Sequence, residues 1–270
     1  MFGGLSYVRF VFQILLLDGL GGGLEHLNST TIQADRWIFS DDDRYHRFLS
    51  TVAHEYFHTW NIKRIRPIAL GPFDYERENY TKDLWISEGI TSYYDNLLLL
   101  RSGILDLKGY FKFLGRDIGS VEKAPGREVQ SVVESSFDTW IKYYRQNEES
   151  PNVLISYYSK GAVVGLLLHL NINASTDGKK SIDDVFRELN RRYKADPSTG
   201  FTSKEFREIS ETVAGRKLDD VWRYADTTDE VDYNESLMTV GCELNRKYGK
   251  DVDESTAYFG FCLLYTSDAA

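Results

Sequence analysis

The sequence predicts an α+β fold in which a small β-sheet precedes a mainly helical region. Residues 7–17 are rich in β-branched and aromatic side chains and run into a glycine-rich turn, which is typical of a buried strand. Residues 40–61 and 82–101 instead carry apolar side chains at the three- and four-residue spacing of amphipathic helices. With 270 residues, 42% of them hydrophobic, the chain can bury the core of one large or two smaller domains.

The elements follow one another in a regular order. Strands and turns are expected up to residue 39, and the helix over 40–61 is expected to start at a capping box formed by Ser40 and Asp43. The helix over 82–101 is stopped by Gly103. The later helices are predicted in pieces over 104–145, over Ser156–Asn171, from a cap at Ser181 to about Tyr193, from a cap at Ser203 to about Ala214, and over Asp219–Ala225.

Charge and composition exclude several classes of protein. The net charge of −9 and the isoelectric point of about 5.2 argue against nucleic-acid binding, which usually requires a basic surface. No apolar run reaches the roughly 18 to 20 residues of a membrane-spanning helix, so no membrane span is expected. The two cysteines, Cys242 and Cys262, lie far from the histidines described next and do not suggest thiolate ligands. The cytoplasm and the periplasm both remain open as compartments.

The helix over 40–61 contains His54-Glu55-Tyr56-Phe57-His58, which has the form H-E-x-x-H. Residues four positions apart lie on one face of a helix, so two imidazoles at this spacing can bind one zinc ion. Glu55 then lies where it can accept a proton from the attacking water. The pattern therefore predicts a zinc hydrolase with His54 and His58 as metal ligands and Glu55 as the general base.

Such a site needs a third protein ligand, and Glu88 is the best candidate. It lies near the start of the helix over 82–101, among apolar and aromatic neighbours. A buried carboxylate is costly without a partner, and a metal ion would remove that cost. A surface glutamate in the first helical turn is the alternative, because a helix N-terminus also favours acidic residues. From the residues alone these two interpretations are equally supported.

Three strings together resemble one family of metallopeptidases. His54–Asn61, Trp85–Tyr94 and Gly22–Ser29 are similar to segments of the glycyl aminopeptidase family, within the thermolysin-like gluzincins. The similarity extends from about residue 7 to residue 235. It implies a thermolysin-like fold and one zinc ion, with Glu88 as the third ligand beside the two histidines.

The resemblance also implies a substrate site. In related aminopeptidases a G-x-x-E loop lies along the substrate, which assigns Gly23 to substrate binding and Glu25 to the free α-amino group. His26 is implied as a hydrogen-bonding group on the substrate side. Tyr158, in a Y-x-K-G segment, is implied as the donor to the tetrahedral oxyanion. From the residues alone, a hairpin turn with an exposed acid and one more core tyrosine are the simpler interpretations.

Three further residues could bind substrate or metal, but a structural role is the simpler explanation for each. Arg64 and Arg66 follow the histidine helix and could hold a peptide carboxylate, yet pairing with surface acids is favoured. His169 lies in an apolar helix and is expected to be a core histidine rather than a ligand.

The expected organisation is a catalytic domain over residues 1–236 that lacks its N-terminal part, the start of an incomplete PDZ-like β domain over 237–264, and a non-native tail over 265–270. This family often carries a C-terminal PDZ domain, so the chain is expected to be a fragment. The expected activity is removal of the N-terminal residue from a peptide or protein with a free N-terminus, with preference for glycine or alanine. The alternatives are a zinc endopeptidase of the same fold, an inert fragment and a peptide-binding protein.

Overall fold

A computed structural model describes residues 2–245, and it has the predicted order of a small sheet followed by helices. The strands are β1 (Val11–Leu17), β2 (Gly22–Glu25) and β3 (Ser29–Asp35). The helices are α1 (Asp42–Phe57), α2 (Ile90–Arg101), α3 (Leu107–Lys123), α4 (Val132–Phe137), α5 (Ser150–Val153), α6 (Tyr157–Ser175), α7 (Ile182–Ala195), α8 (Ser203–Ala214), α9 (Asp219–Asp226) and α10 (Tyr233–Leu237).

The sheet places its edge strand β2 beside the histidine helix. The strand order is β1-β3-β2, with β1 parallel to β3 and β2 antiparallel to it. A small apolar cluster, in which Ile32 of β3 and Phe48 of α1 are buried, joins the sheet to the helix. Within the described residues the outer edge of β2 is unpaired. The segment that contains Gly23 and Glu25 is therefore a free strand edge beside α1.

Residues 7–17 were predicted to form a buried strand, but the strand that forms there is mostly exposed. The strand covers only Val11–Leu17, and its large apolar side chains, including Phe12 and Leu15, are exposed. The strand pairs with β3 on one side, while α1 packs against β2 and β3. Apolar, β-branched composition predicts an extended strand, but it does not reveal which neighbour, if any, covers each face.

The N-cap of helix α1 lies one residue after the predicted cap. Residues 38–40 form a short 3₁₀ turn, and Asp41 is the extended residue before the helix, with φ −154° and ψ 156°. The Asp41 side chain accepts a hydrogen bond of 2.8 Å from the backbone N–H of Arg44. Asp41 is therefore the N-cap instead of Ser40, and Asp42 and Asp43 lie in the first turn, where the helix dipole favours negative charge.

Two of the later caps test the same type of prediction. Ser181 caps α7 as predicted and forms a capping box with Asp184. The predicted cap at Ser203 is wrong by one position, because Thr202 accepts the hydrogen bond from the N–H of Glu205 and Ser203 is the first helical residue.

A close crossing of two glycines brings the second site-bearing segment against α6. A π-helical turn, Trp85–Gly89, precedes α2 and packs on α6. A Cβ atom on Gly161 would lie 2.8 Å from the Cα of Gly89, and one on Gly89 would lie 2.5 Å from the Cα of Gly161. Neither position has room for a side chain. This contact fixes the separation between the segments that carry Glu88 and Tyr158.

The helix α6 is the central helix of the core. Residues 150–175 are long and apolar enough to span a membrane by length and composition alone. In the structure 67% of that apolar window is buried against other parts of the protein, and residues such as Val164, Leu168 and Ile172 are fully enclosed. Burial in the core accounts for its composition.

The predicted C-terminal domain falls mainly outside the described residues. After α10 the chain forms a short 3₁₀ turn over Met238–Val240, and residues 241–245 are not in a strand. The second predicted strand, over Ala257–Leu264, lies outside the described residues, as do Cys262 and the tail over 265–270. The division into domains stays a prediction.

Candidate metal centre and active site

The three predicted ligands lie together in the structure. The helix α1 places His54 and His58 one turn apart, and the π-helical turn brings Glu88 opposite them. Glu88 Oε2 is 3.2 Å from His54 Nε2 and 3.1 Å from His58 Nε2. One ligand atom from each of the three residues lies within 4.8 Å of the other two.

This arrangement fits a zinc ion. Atoms about 2.1 Å from a metal at tetrahedral angles lie about 3.4 Å from one another, close to the separations measured between Glu88 and each histidine. Two imidazoles and one carboxylate are also a donor set that zinc hydrolases use, with the fourth position left for water. His54, His58 and Glu88 therefore form a candidate metal site on both geometry and chemistry.

The orientation of His58 is fixed by its other ring nitrogen. His58 Nδ1 lies 2.8 Å from the carbonyl oxygen of Asn61, which can only accept, so Nδ1 carries the proton and Nε2 offers its lone pair. The Asn61 amide in turn donates to the carbonyl oxygens of Ile86 and Ser87, at 2.9 and 3.1 Å. Asn61 thus ties the loop after α1 to the turn that carries Glu88.

Sequence reasoning did not identify the corresponding partner of His54. Asp95 Oδ2 lies 3.5 Å from His54 Nδ1, and the Ser92 hydroxyl lies at the same distance. Asp95 is buried, and it follows Glu88 by seven residues, so both acids lie on one face of the helical segment. The seven-residue spacing of two acids in an apolar helix was the feature of the sequence that could have identified Asp95. Asp95 is a second carboxylate next to His54, and it orients the imidazole from the side away from Glu88 through the other ring nitrogen, Nδ1.

The carboxylates also control the charge of His54. Burial lowers its pKa, but hydrogen bonds to Asp95 and Glu88 outweigh burial and raise the pKa from 6.5 to about 10 in the protein alone. A metal ion binds only the neutral imidazole. Metal and proton therefore compete for His54 over the whole physiological pH range.

This competition gives a measurable result. Removing zinc with a chelator at pH 8 is expected to cause the protein to take up about one proton per metal ion, because His54, with a pKa of about 10, becomes protonated when the metal leaves. Calorimetric titration in buffers of different ionisation enthalpy measures this uptake. Equal heats in all buffers, after correction for the protons that the chelator releases, would contradict the assignment.

Glu55 has the environment of a general base. It is 6% exposed, and within the described residues its Oε2 atom is buried without a hydrogen-bond partner. Burial raises the pKa of Glu55, while His58 and His54 oppose the shift. A carboxylate oxygen of this kind, next to the metal ligands, can accept a hydrogen bond from a water molecule.

Gly23 lies directly against Glu55. A Cβ atom at position 23 would lie 2.2 Å from Glu55 Oε1, so only glycine allows β2 to approach this carboxylate so closely. Glu25, two residues further along β2, also reaches the site. Single ligand atoms of Glu25, Glu55 and His58 lie within 4.8 Å of one another. Glu25 is paired with Lys63, whose Nζ lies 3.0 Å from Glu25 Oε1.

His26 directly follows Glu25 at the end of β2. Its side chain is exposed, and Nδ1 lies 3.2 Å from the carbonyl oxygen of Leu24. The structure does not place His26 among the candidate metal ligands.

Tyr158, at the start of α6, lies beside His54. Its ring centroid is 6.3 Å from that of His54, and its hydroxyl is 3.2 Å from the hydroxyl of Tyr144. Burial raises the pKa of Tyr158, and the Glu88 carboxylate adds to the shift, so the phenol stays protonated and able to donate. The neighbouring Tyr157 is buried, and its hydroxyl also lies 3.2 Å from that of Tyr144.

The expectation that Arg64 pairs with surface acids is wrong. Arg64 is 4% exposed and donates to the carbonyl oxygens of Leu27 and Thr59 and to Asn28 Oδ1. It thus holds the loop after β2 against the loop after α1, a long-range arrangement that the sequence does not reveal.

Arg66 and His169 lie away from the candidate ligands. Arg66 packs against Gly71, where a Cβ atom would lie 2.2 Å from Arg66 Nε. His169 lies on α6 beside the ring of Tyr93, and burial lowers its pKa to about 4, which keeps it neutral. Within the described residues its Nδ1 has no hydrogen-bond partner. It is therefore a core histidine, although one ring nitrogen is unsatisfied.

Comparison with known proteins shows which family the chain is similar to. Residues 47–164 match the model of the M61 glycyl aminopeptidase family. The fold is similar to the crystal structure of an aminopeptidase N family protein from Idiomarina loihiensis, with 36% sequence identity and a TM-score of 0.83. Over residues 47–164 the chain is therefore similar to the M61 glycyl aminopeptidase family. No curated protein matches the chain with comparable significance.

The M61 match has a defined extent. It includes His54, Glu55, His58, Glu88 and Tyr158, and it starts after β2. The solved structure is matched over 88% of this chain, and the chain spans 41% of the length of that protein. M61 is a family of metallopeptidases, in agreement with the candidate site formed by the two histidines and Glu88.

Proposed function

We propose that this chain is a zinc-dependent aminopeptidase that hydrolyses the first peptide bond of a peptide or protein with a free N-terminus. One observation carries the proposal: three ligand atoms converge beside a buried carboxylate, Glu55, that has an oxygen free to bind water. His54, His58 and Glu88 would hold one zinc ion. When bound, the ion would supply Lewis-acid polarisation of the scissile carbonyl and lower the pKa of water.

Glu55 would carry the proton transfers. Its free oxygen accepts a proton from the water that attacks the peptide carbonyl, and the same carboxyl group then gives the proton to the departing amine. The raised pKa of Glu55 suits both roles, since a carboxylate with a pKa closer to neutrality exchanges protons more readily. Gly23 supports this assignment because it leaves room for the carboxylate beside the strand edge.

Tyr158 would donate to the oxyanion. A protonated phenol held by surrounding aromatic side chains provides a preorganised hydrogen bond to the charge that develops in the transition state. Tyr158 is favoured over Tyr157 for this role because its ring lies near His54, whereas Tyr157 packs into the core.

Glu25 would bind the α-ammonium group of the substrate. It lies on the free edge of β2, with a carboxylate oxygen within 4.8 Å of ligand atoms of Glu55 and His58. An ammonium group bound there leaves space for only one residue before the reacting carbonyl, which makes the enzyme an aminopeptidase. His26, also beside this edge, would hydrogen-bond the substrate. The preference for glycine or alanine rests on the family resemblance.

The test compares free and blocked substrates. Glu25→Gln keeps the shape of the side chain but removes the charge, so kcat/KM for glycyl p-nitroanilide is expected to fall about ten- to hundredfold, the contribution of a charge-assisted hydrogen bond. The slow cleavage of an N-acetylated dipeptide anilide is expected to stay within about twofold. An equal loss on both substrates would argue for the alternative, an endopeptidase in which Glu25 serves only the ion pair with Lys63.

A further inference from the structure

The carboxylate proposed to bind the substrate amine already holds an ammonium group. Lys63 Nζ lies 3.0 Å from Glu25 Oε1, and the two side chains are 28% and 18% exposed. Glu25 comes from the edge strand β2 and Lys63 from the loop after α1, so this ion pair crosses between the two elements that border the candidate metal ligands. The ammonium that Glu25 would bind in a substrate therefore has a counterpart within the protein.

The backbone around Lys63 is held firmly. An isolated bridge joins Asn61 to Ile65, and the N–H of Lys63 donates to the carbonyl oxygen of His58 at 3.1 Å. Ile62 has φ 113°, a conformation that is unfavourable for a β-branched residue and that persists only where the surroundings impose it. The loop therefore fixes where the lysine side chain starts.

The strand side of the pair is fixed as well. The buried guanidinium of Arg64 donates to Leu27 O at 3.1 Å and to Asn28 Oδ1 at 3.2 Å, just beyond Glu25. The residue next to Lys63 thus clamps the loop that follows β2. With both backbones held in this way, the lysine side chain is the part of the ion pair that can move without rearranging the fold.

The chemistry of Lys63 matches that of the proposed substrate. The end of a lysine side chain is a methylene group bearing an ammonium, and the start of a glycyl peptide is the same group. Both form the same charge-assisted hydrogen bond to a carboxylate. Ligand atoms of Glu55 and His58 lie within 4.8 Å of a Glu25 oxygen, and the Glu55 carboxylate favours a cation at this position whichever molecule supplies it.

We propose that Lys63 occupies the amine site of Glu25 in the free protein and that the α-ammonium group of the substrate displaces it. This inference rests on the proposed function. A peptide with a blocked N-terminus has no ammonium group and does not use this site, so the ion pair does not change how it binds. Lys63 would therefore weaken the apparent affinity only for peptides with a free N-terminus.

The size of the effect follows from the exposure of the pair. Ion pairs with this degree of solvent contact favour the paired state by about one- to fivefold. The apparent affinity for a substrate is its intrinsic affinity multiplied by the fraction of protein in which Glu25 is free. Replacing Lys63 with an uncharged side chain of similar length should lower KM about two- to sixfold and leave kcat nearly unchanged.

The experiment uses Lys63→Met, with Lys63→Arg as the variant that retains the charge and Lys204→Met as a control on an exposed lysine of α8. Steady-state kinetics with glycyl p-nitroanilide should give a lower KM for Lys63→Met only. Calorimetric titration of the zinc-loaded proteins with glycinamide provides a readout independent of turnover. Glycinamide should bind about two- to sixfold more tightly to Lys63→Met, and N-acetylglycinamide should bind all the proteins equally weakly.

The outcomes separate this inference from the proposed function. If the unmodified protein prefers glycinamide to its acetylated form but Lys63→Met binds it no more tightly, the displacement of Lys63 is refuted while the amine site stands. A higher KM or a lower kcat in Lys63→Met would also refute it, because Lys63 would then assist the substrate. If the unmodified protein does not distinguish the two amides, the amine site itself fails and the inference fails with it.

Discussion

Glu55→Gln is expected to lose at least about a thousandfold in kcat while still binding one zinc ion. General acid–base catalysis contributes about 10²- to 10⁴-fold, and here one carboxyl group would serve as base and then as acid. The amide has nearly the same shape, so it should fit between Gly23 and the metal ligands. The proposal assigns zinc to the group His54, His58 and Glu88 and not to the second group, Glu25, Glu55 and His58, so metal content should not change.

The measurement is zinc stoichiometry by elemental analysis together with turnover of glycyl p-nitroanilide. Burial raises the pKa of Glu55 because it disfavours the charged form, so the uncharged glutamine should leave the variant at least as stable to heat as the parent protein. Full activity with normal zinc would contradict the assignment of Glu55 as the base.

Glu88→Ala is expected to lose both zinc and activity. It removes one of three ligands, and the other nearby carboxylates, Glu25 and Glu55, form a cluster with His58 that does not include His54. The metal-free variant should also lose stability, because the Glu88 carboxylate raises the pKa values of both histidines and neutralises their charge. Zinc content after dialysis against a weak chelator should fall to a small fraction of the parent value.

Glu55→Gln is the matched control for this variant. Both changes remove an acidic side chain within the same cluster, but only Glu88→Ala should release the metal. The fold can be checked by far-ultraviolet circular dichroism. Retention of one zinc ion per folded Glu88→Ala chain would show that the third ligand is a different residue.

Local patterns in the sequence predicted most of the helices and the spacing of the two histidines. The apolar periodicity of residues 40–61 predicted α1, and the four-residue interval placed His54 and His58 on one face. Glu88 could not be placed in this way, because it is 30 residues beyond His58 and the intervening chain is irregular. The family resemblance, rather than periodicity, predicted that it meets the histidines.

Tertiary contacts account for what the sequence did not reveal. Arg64 was expected to be a surface cation, yet four oxygen acceptors around it allow it to be buried. Asp95 and Lys63 acquire their significance only from distant partners, His54 and Glu25. The strand β1 was expected to be buried because it is apolar, but composition does not specify which neighbour covers each face.

The most direct test of the proposed function is a paired assay on the zinc-loaded protein, with glycyl p-nitroanilide and its N-acetylated form as substrates. The proposal predicts one zinc ion per chain, rapid release of nitroaniline from the glycyl substrate and at least about tenfold slower release from the acetylated one. Equal rates on both substrates, or no release from the glycyl substrate by protein that contains one zinc ion, would contradict it.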